Sequence, residues 1–239
     1  VQTTLVSSGI DSNTTKSLLQ PVAIQEQMPG NPWMNYSIYL SPSFMSAFLA
    51  LIILGVTVYS ICSEIKYGTS PEWLRTAGGS MFVALTGKLL PQTFIEICMG
   101  MAYLGMMFGI EGFPCNNHFS HLVLAMVLMV LACQAFAVTV CCIVPNLRLG
   151  LIVVSLIGIL SFSIAGFSFP VQNMYGYIGI LSYILPVRYF FLIYIDQALN
   201  GIPLYFSRFY FVALLIFPLV AMLGIGRLRK RCLNPIYVP

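Results

Sequence analysis

Charge is what this chain has least of. Of its 239 residues only 8% are Asp, Glu, Lys or Arg and 59% are hydrophobic, where a soluble domain carries about 25% charged residues. So few charges cannot clothe a water-facing surface, and the composition describes a polytopic membrane protein. The basic residues form no patch beyond a short C-terminal tail, which leaves nucleic acid out as a partner. Paired cysteines are missing too: Cys62, Cys98, Cys115, Cys133, Cys141, Cys142 and Cys232 lie mostly in apolar runs, with no CxxC and no set gathered in one loop. That pattern gives neither a disulfide framework nor a zinc site, and no metal is expected. A phosphate loop is also absent. In the nearest approach, Gly79 to Leu89, Gly87-Lys88 is followed by Leu instead of Ser or Thr and the earlier glycine is misplaced, so backbone amides and a hydroxyl cannot be arranged around phosphate and magnesium. No catalytic residue is assigned, and any energy source lies on another polypeptide. No signal-peptide pattern stands at Val1.

What the chain does have is long uncharged runs. Ser43–Cys62 holds 20 residues without a charge, and about 20 residues at about 1.5 Å each cross a hydrocarbon core of about 30 Å. Leu89–Ile110, Phe119–Val144, Gly150–Phe169 and Phe206–Gly226 are apolar runs of similar length, with Glu96 the one charge in the second span and Arg208 the one in the last. The expected fold class is therefore all-α, a polytopic membrane helix bundle with five full spans. Lys66, Arg75 and Lys88 fall in the first loop, Arg148 in the turn after the third span, and Arg227, Arg229, Lys230 and Arg231 after the last, whereas the Glu111–His118 loop has no Lys or Arg. The positive-inside rule makes the first, third and final connections cytoplasmic, with the C-terminus, and puts the polar segment 1–40 outside as the end of an extracytoplasmic domain or linker. An external N-terminus without a signal calls for a further span before Val1. Residues 41–239 form the transmembrane domain. Tyr177–Leu199 is apolar but contains Pro186, Arg188 and Asp196, and a full crossing there would put the basic tail outside. A re-entrant or interfacial helix pair within an outer region 170–205 satisfies both facts. Asn13-Thr14-Thr15 and Asn35-Tyr36-Ser37 match a glycosylation pattern that is common by chance.

The longest polar interval, Ser63–Lys88, organises the rest. Thr69-Ser70-Pro71-Glu72 is a helix-start signal, with a hydroxyl cap, a proline whose missing N–H costs nothing there, and an acid at the positive helix end. A short helix is expected over 71–77, stopping at Gly78-Gly79 and exposing Trp73, Leu74 and Arg75 to a soluble partner or to the headgroup region.

Several short motifs in one order resemble a known family. Glu64-x-Lys66-x-Gly68-Thr69, then Trp73-Leu74, then Gly87-Lys88-Leu89-Leu90-Pro91 resemble the cytoplasmic loop of type-2 ABC exporter permeases, in the branch with a large external domain after the first span. Ala165-Gly166-Phe167-Ser168-Phe169-Pro170 with Met174, and Leu185-Pro186 with Tyr189 and Gly201, resemble that family's outer segment between its last two spans. Tyr175 follows Met174 where the family often has proline, and acidic Asp196 sits near a position that is often basic. The resemblance implies one span more than this chain holds and alternating access across a bacterial inner membrane. It makes 63–88 a coupling loop in which Glu64, Lys66, Gly68, Thr69, Glu72, Trp73, Leu74 and Arg75 meet a separate ATP-binding cassette subunit carrying the ATP and Mg. It further implies a second permease subunit, identical or related, and room for a periplasmic adaptor beside the membrane lipids.

Other residues carry alternatives. Glu96, inside the second span, is either functional or hydrogen-bonded to a neighbouring helix, since carboxylates in membranes are costly. It would also be the coupling residue if the chain were an ion-coupled secondary transporter. His118 and His121 with Glu111 form a weak metal pattern and, with Arg188 and Asp196, the candidate centre of a lipid-modifying enzyme at the outer surface. Gly105-x-x-x-Gly109 and the row Ser155, Gly158, Ser161, Ala165 suit close helix packing, within the chain in the first place or at a subunit interface. Methionines 99, 101, 106, 107, 126 and 129 suit a pliable substrate surface or, more plainly, lipid-facing and core packing.

Overall fold

The computed structural model describes residues 36–167 and 171–234. The polar opening segment 1–35, with both Asn triplets, and Phe169 and Pro170 of the outer motif lie outside the described residues. Within them every long apolar run has become a helix: α1 (Tyr36–Lys66), the short α2 (Ser70–Thr76), α3 (Met81–Gly105, continued by a π-helical turn Met106–Ile110), α4 (Phe119–Ile143), α5 (Leu147–Ile164), α6 (Gly176–Ser182), α7 (Pro186–Tyr194, continued by a π-helical turn Ile195–Leu199) and α8 (Leu204–Leu233). Five of these, α1, α3, α4, α5 and α8, are long and apolar enough to cross a membrane. Three of them run past the apolar stretches that announce them, whereas α4 keeps its expected bounds to within a residue and α5 stops at Ile164, short of the expected 169. α1 begins at Tyr36, α3 at Met81 and α8 continues to Leu233, because a helix need not end where its side chains become polar.

Local chemistry sets several ends. Asn146 caps α5, its Oδ1 accepting from the backbone N–H groups of Arg148 at 2.9 Å and Leu149 at 3.3 Å, which satisfies donors that have no partner inside the helix. Pro186 opens α7 after an extended Leu185, as the steric restriction before proline requires. Pro42 lies inside α1 and cannot donate to the carbonyl of Ile38. That carbonyl accepts the Tyr194 hydroxyl of α7 at 2.7 Å instead, while the Pro42 carbonyl accepts Tyr103 Oη of α3 at 2.9 Å.

α4 is the central helix, packed by α1, α3, α7 and α8. Small residues set how closely its neighbours approach. A methyl group on Gly100 would sit 2.7 Å from Met126 Cγ, and one on Gly158 of α5 would sit 2.2 Å from Leu51 Cδ1 of α1. α8 buries Ser207, Leu214, Ala221 and Leu228, a narrow seven-residue seam that leaves its other faces to lipid. Met107, Met126 and Met129 are core residues, whereas Met99 and Met106 face outward. Gly158, Ser161 and Ala165 are buried and serve packing within the chain, whereas Ser155, the first of that row, is exposed. The Gly105/Gly109 pair departs from the same expectation: no atom lies within 4 Å of a methyl group at either position, because α3 turns this face away from its neighbours.

The helices bring Lys66, Arg75, Lys88, Arg148 and the basic tail to one end, with Arg188 and Arg208 at the other. The C-termini of α1, α4 and α8 and the N-termini of α3 and α5 meet at the basic end, as the Cys62–Cys141 sulfur contact at 3.5 Å and the approach of Gly150 to Val58 and Cys62 show. The chain leaves α5 and enters α8 at the opposite end. There α6 and α7 form a pair bent by 82°, tied to the loop before α4 by Asn116 and Asn117, whose side-chain amides donate to the carbonyls of Leu199 at 2.7 Å and Ile202 at 2.9 Å. The segment returns to the end it left, as a re-entrant or interfacial pair does.

Replacing Gly224 of α8 by Ala tests the close packing, since the added methyl would stand 2.9 Å from Cys142 Cβ on α4, whereas at Gly226 nothing lies within 4 Å. Gly224→Ala is expected to cost about 1–3 kcal/mol and Gly226→Ala to be neutral or slightly stabilising, read as thermal unfolding of the purified protein in detergent.

Candidate functional site at the basic end

The sequence leaves α1 at Lys66, turns through Gly68 at φ 74° and starts α2 at Ser70. Pro71 stands in its first turn and Glu72 near its positive end. Gly78 and Gly79, at φ 67° and 77°, stop it, a backbone region that other residues adopt only at a cost. The helix is where the sequence puts it, but the hydroxyls act differently. Thr69 makes no cap; its Oγ1 donates to the Glu64 carboxylate, which also accepts Lys88 Nζ from the first part of α3. Ser70 Oγ, fully buried, donates to the Cys232 carbonyl near the end of α8 at 2.9 Å. Arg229 Nε of α8 donates to the Gly79 carbonyl at 3.1 Å. A helix of only 7 residues is not stable by itself in water, and these contacts to α1, α3 and α8 hold it.

Leu74 is a correction. Instead of being exposed it is 2% exposed, packed in the basic-end core with Ile61, Ile65, Met81 and Leu228. Burying it is what seats α2 on the bundle. Trp73 is half-buried, with Lys88 Nζ 4.9 Å from its ring centroid, a distance at which the cation is attracted to the ring face. Glu72, Arg75 and Thr76 are exposed, as is Lys66, whose ammonium lies 5.6 Å from the Tyr67 ring. Beside Trp73 an open groove of about 480 Å³ runs between α2 and α3, lined by Thr76, Val83, Gly87 and Lys88.

Glu96 belongs to a second polar cluster deep in the bundle. It is 3% exposed, and its two carboxylate oxygens accept Gln92 Nε2 at 2.6 Å and Gln134 Nε2 of α4 at 2.8 Å. Gln92 also donates to Thr57 Oγ1 of α1 at 2.7 Å, and Thr93 Oγ1 donates to Gln134 Oε1 at 2.8 Å. Of the two readings open from sequence, the structure displays the hydrogen-bonded one. The spacing of Gln92 and Glu96, one helical turn apart in an apolar run, is the signal that would have revealed it.

At the opposite end His118, His121 and Asp196 are linked through Gln197 and Ser207, whereas Arg188 lies elsewhere. His118 and His121 stack edge to face at 5.6 Å, and His121 Nδ1 meets Gln197 Oε1 at 2.8 Å. Gln197, missed in the sequence, is the hub there: it is buried, accepts from Asn117 Nδ2 at 3.0 Å, and donates to Ser207 Oγ at 3.0 Å and the Ile202 carbonyl at 3.0 Å. Asp196 accepts from Ser207 Oγ at 2.9 Å. Arg188 is buried elsewhere, on the carbonyl of Ala165 and the hydroxyl of Ser182 near Gly166, with Pro186 buried and Met174 half-buried beside it. Among the described residues no three His, Cys, Asp or Glu side chains converge, and Glu111 is exposed. Of the four residues named for a surface enzyme centre, Arg188 is the one that stands away from the other three. Glu96→Leu, which leaves the buried Gln134 Nε2 without a partner and removes one of two from Gln92, is expected to cost on the order of 1–3 kcal/mol, and Glu96→Gln, which keeps one acceptor, less; thermal unfolding in detergent distinguishes them.

Comparison with known proteins agrees with this architecture. No curated protein and no solved structure matches the chain. Residues 2–226 match the family described as ABC-2 family transporter protein. That match covers nearly the whole chain, and the chain belongs to the ABC-2 family, as the membrane-embedded permease part of an ABC transporter.

Proposed function

We propose that the chain is the permease of an exporter driven by a separate ATP-binding cassette subunit, which seats on α2. The observation that carries this reading is the combination at α2 of an exposed polar face, Glu72, Arg75 and Thr76, with an anchored back, Leu74, Ser70 and Gly79. A seven-residue element bound at once to α1, α3 and α8 receives force on its exposed face and passes it to three membrane helices. Packed interfaces of this kind shift between discrete arrangements rather than deforming gradually.

In this reading the basic end is cytoplasmic, by the charge bias of the loops, and the membrane is a bacterial inner membrane. ATP and Mg reside on the partner, Trp73 and the groove beside it receive an apolar or aromatic side chain of that partner, and Glu72 and Arg75 meet its charges. Glu64, Gly68 and Thr69 fix the element instead of touching the partner, and Lys66 lies at its margin. Two permeases pair, with the uncovered Gly105/Gly109 face of α3 available for close approach, and an adaptor on the far side has the polar N-terminal segment to meet.

The test is co-purification from native membrane, extracted gently, followed by ATPase assay of the complex. An ATP-binding subunit should come with the protein. Trp73→Ala with Arg75→Ala should weaken its retention by about tenfold or more, as for an aromatic and Arg pair at the centre of an interface, with the permease itself still eluting as before. Equal retention by the double variant would sink the assignment of α2.

A further inference from the structure

At the end opposite α2, the bend between α6 and α7 walls a cavity of about 460 Å³, lined by Tyr39, Gly166, Val171, Gly179, Tyr183 and Arg188 among others. Arg188 is 9% exposed, and a cation so buried is costly unless it is paired. Its partners are all neutral. Nη1 donates to the Ala165 carbonyl at 3.2 Å and to Ser182 Oγ at 2.8 Å, and the guanidinium stands 4.8 Å from the centre of the Tyr183 ring. Both hydrogen bonds leave from Nη1, Nε has no partner, and among the described residues no carboxylate pairs with Arg188. Nε and Nη2 share one edge of the guanidinium, the edge that grips two oxygens of an anion side by side.

The surroundings hold this edge ready. Gly166, at φ 96°, lets the backbone pass so close that a methyl group there would stand 3.1 Å from Nη1. The Tyr183 ring and the Ser182 hydroxyl fix the orientation of the plane. Above the cavity the surface of α6 is apolar and aromatic although uncovered: Tyr177 is 89% exposed, and Tyr175, Ile180 and Leu181 are exposed as well. Tyrosine and aliphatic side chains together belong at the depth where headgroups meet acyl chains.

We propose that this cavity binds a phosphate-type anion, carried by a membrane lipid or free, with Arg188 as its anchor. The site is distinct from α2 and does not depend on how an ATP-binding subunit engages it. A buried guanidinium with one edge unused contributes little to stability, but it is prepared for a phosphate, whose oxygens would complete its hydrogen bonding.

The test is thermal unfolding of the purified full chain in detergent, titrated separately with phosphatidylglycerol, with diacylglycerol and with inorganic phosphate. Phosphatidylglycerol is expected to raise the unfolding temperature saturably and diacylglycerol not to. A rise with the lipid alone identifies a lipid headgroup as the source, and a comparable rise with inorganic phosphate identifies a soluble anion. Arg188→Gln should weaken the apparent affinity at least about tenfold. Gly179→Leu, which keeps Arg188 but fills the cavity, should abolish the response, and it carries the test if Arg188→Gln does not fold. Equal shifts with phosphatidylglycerol and diacylglycerol, no shift with either phosphate compound, or a shift that both variants retain would overturn the proposal.

Discussion

The Glu64 carboxylate is the point on which the basic end depends. One of its oxygens accepts Lys88 from α3 and the other Thr69 at the start of α2, while Glu64 itself belongs to the last turn of α1. It forms the one ion pair among the described residues, and both side chains are only 23% exposed. Partial burial is what gives such a pair weight, since fully exposed ion pairs contribute little. The carboxylate adds to the backbone bonds of the turn at Gly68 a tie that holds α1, α2 and α3 together, beside the contacts of Ser70, Leu74 and Gly79 with α8. Lys88 serves twice, because the ammonium that neutralises Glu64 also lies over the Trp73 ring.

The same economy governs the membrane interior. Packing alone, through Gly100 on Met126, Gly158 on Leu51 and Gly224 on Cys142, brings α3, α5 and α8 onto their neighbours. Polar groups then specify the register: Glu96, Gln92, Gln134, Thr93 and Thr57 join three helices near the basic half, and Gln197 joins the α7 end, the loop before α4 and α8 near the other. In each cluster the amides have partners on other helices, as buried polar groups in lipid must. Arg188 is the exception, with one nitrogen left over, and it lies against a cavity.

Much of this was legible in the sequence. Long apolar runs marked the spans because lipid tolerates little else, Pro71 marked the start of α2, and the charges within Tyr177–Leu199 pointed to a bent pair in place of a crossing. What could not be read were pairings between distant residues. Ser70 looks like a helix cap until Cys232, 162 residues away, is placed beside it. Leu74 looks exposed on so short a helix until α8 covers it. Gln197 meets Asn117 and His121 across 80 and 76 residues, and no local pattern announces that. The Gly105/Gly109 pair reads as a packing motif, yet whether a small-residue face is used is decided by how the helix is turned in the bundle.

For an ABC-2 family permease these features divide the labour between two ends: a braced element facing water at the basic end, and a bent helix pair with a buried cation at the other. The central physical claim is that α2 is held by the permease's own contacts before any partner arrives. Hydrogen exchange followed by mass spectrometry, on the isolated protein in lipid nanodiscs, reads this directly from peptides covering 69–77. Protection of α2 comparable to that of the basic end of α8 is the result predicted by its ties to Glu64, Cys232 and Arg229. Exchange at the rate of an unstructured chain would contradict the account, since a helix of this length holds amides only if the bundle holds it.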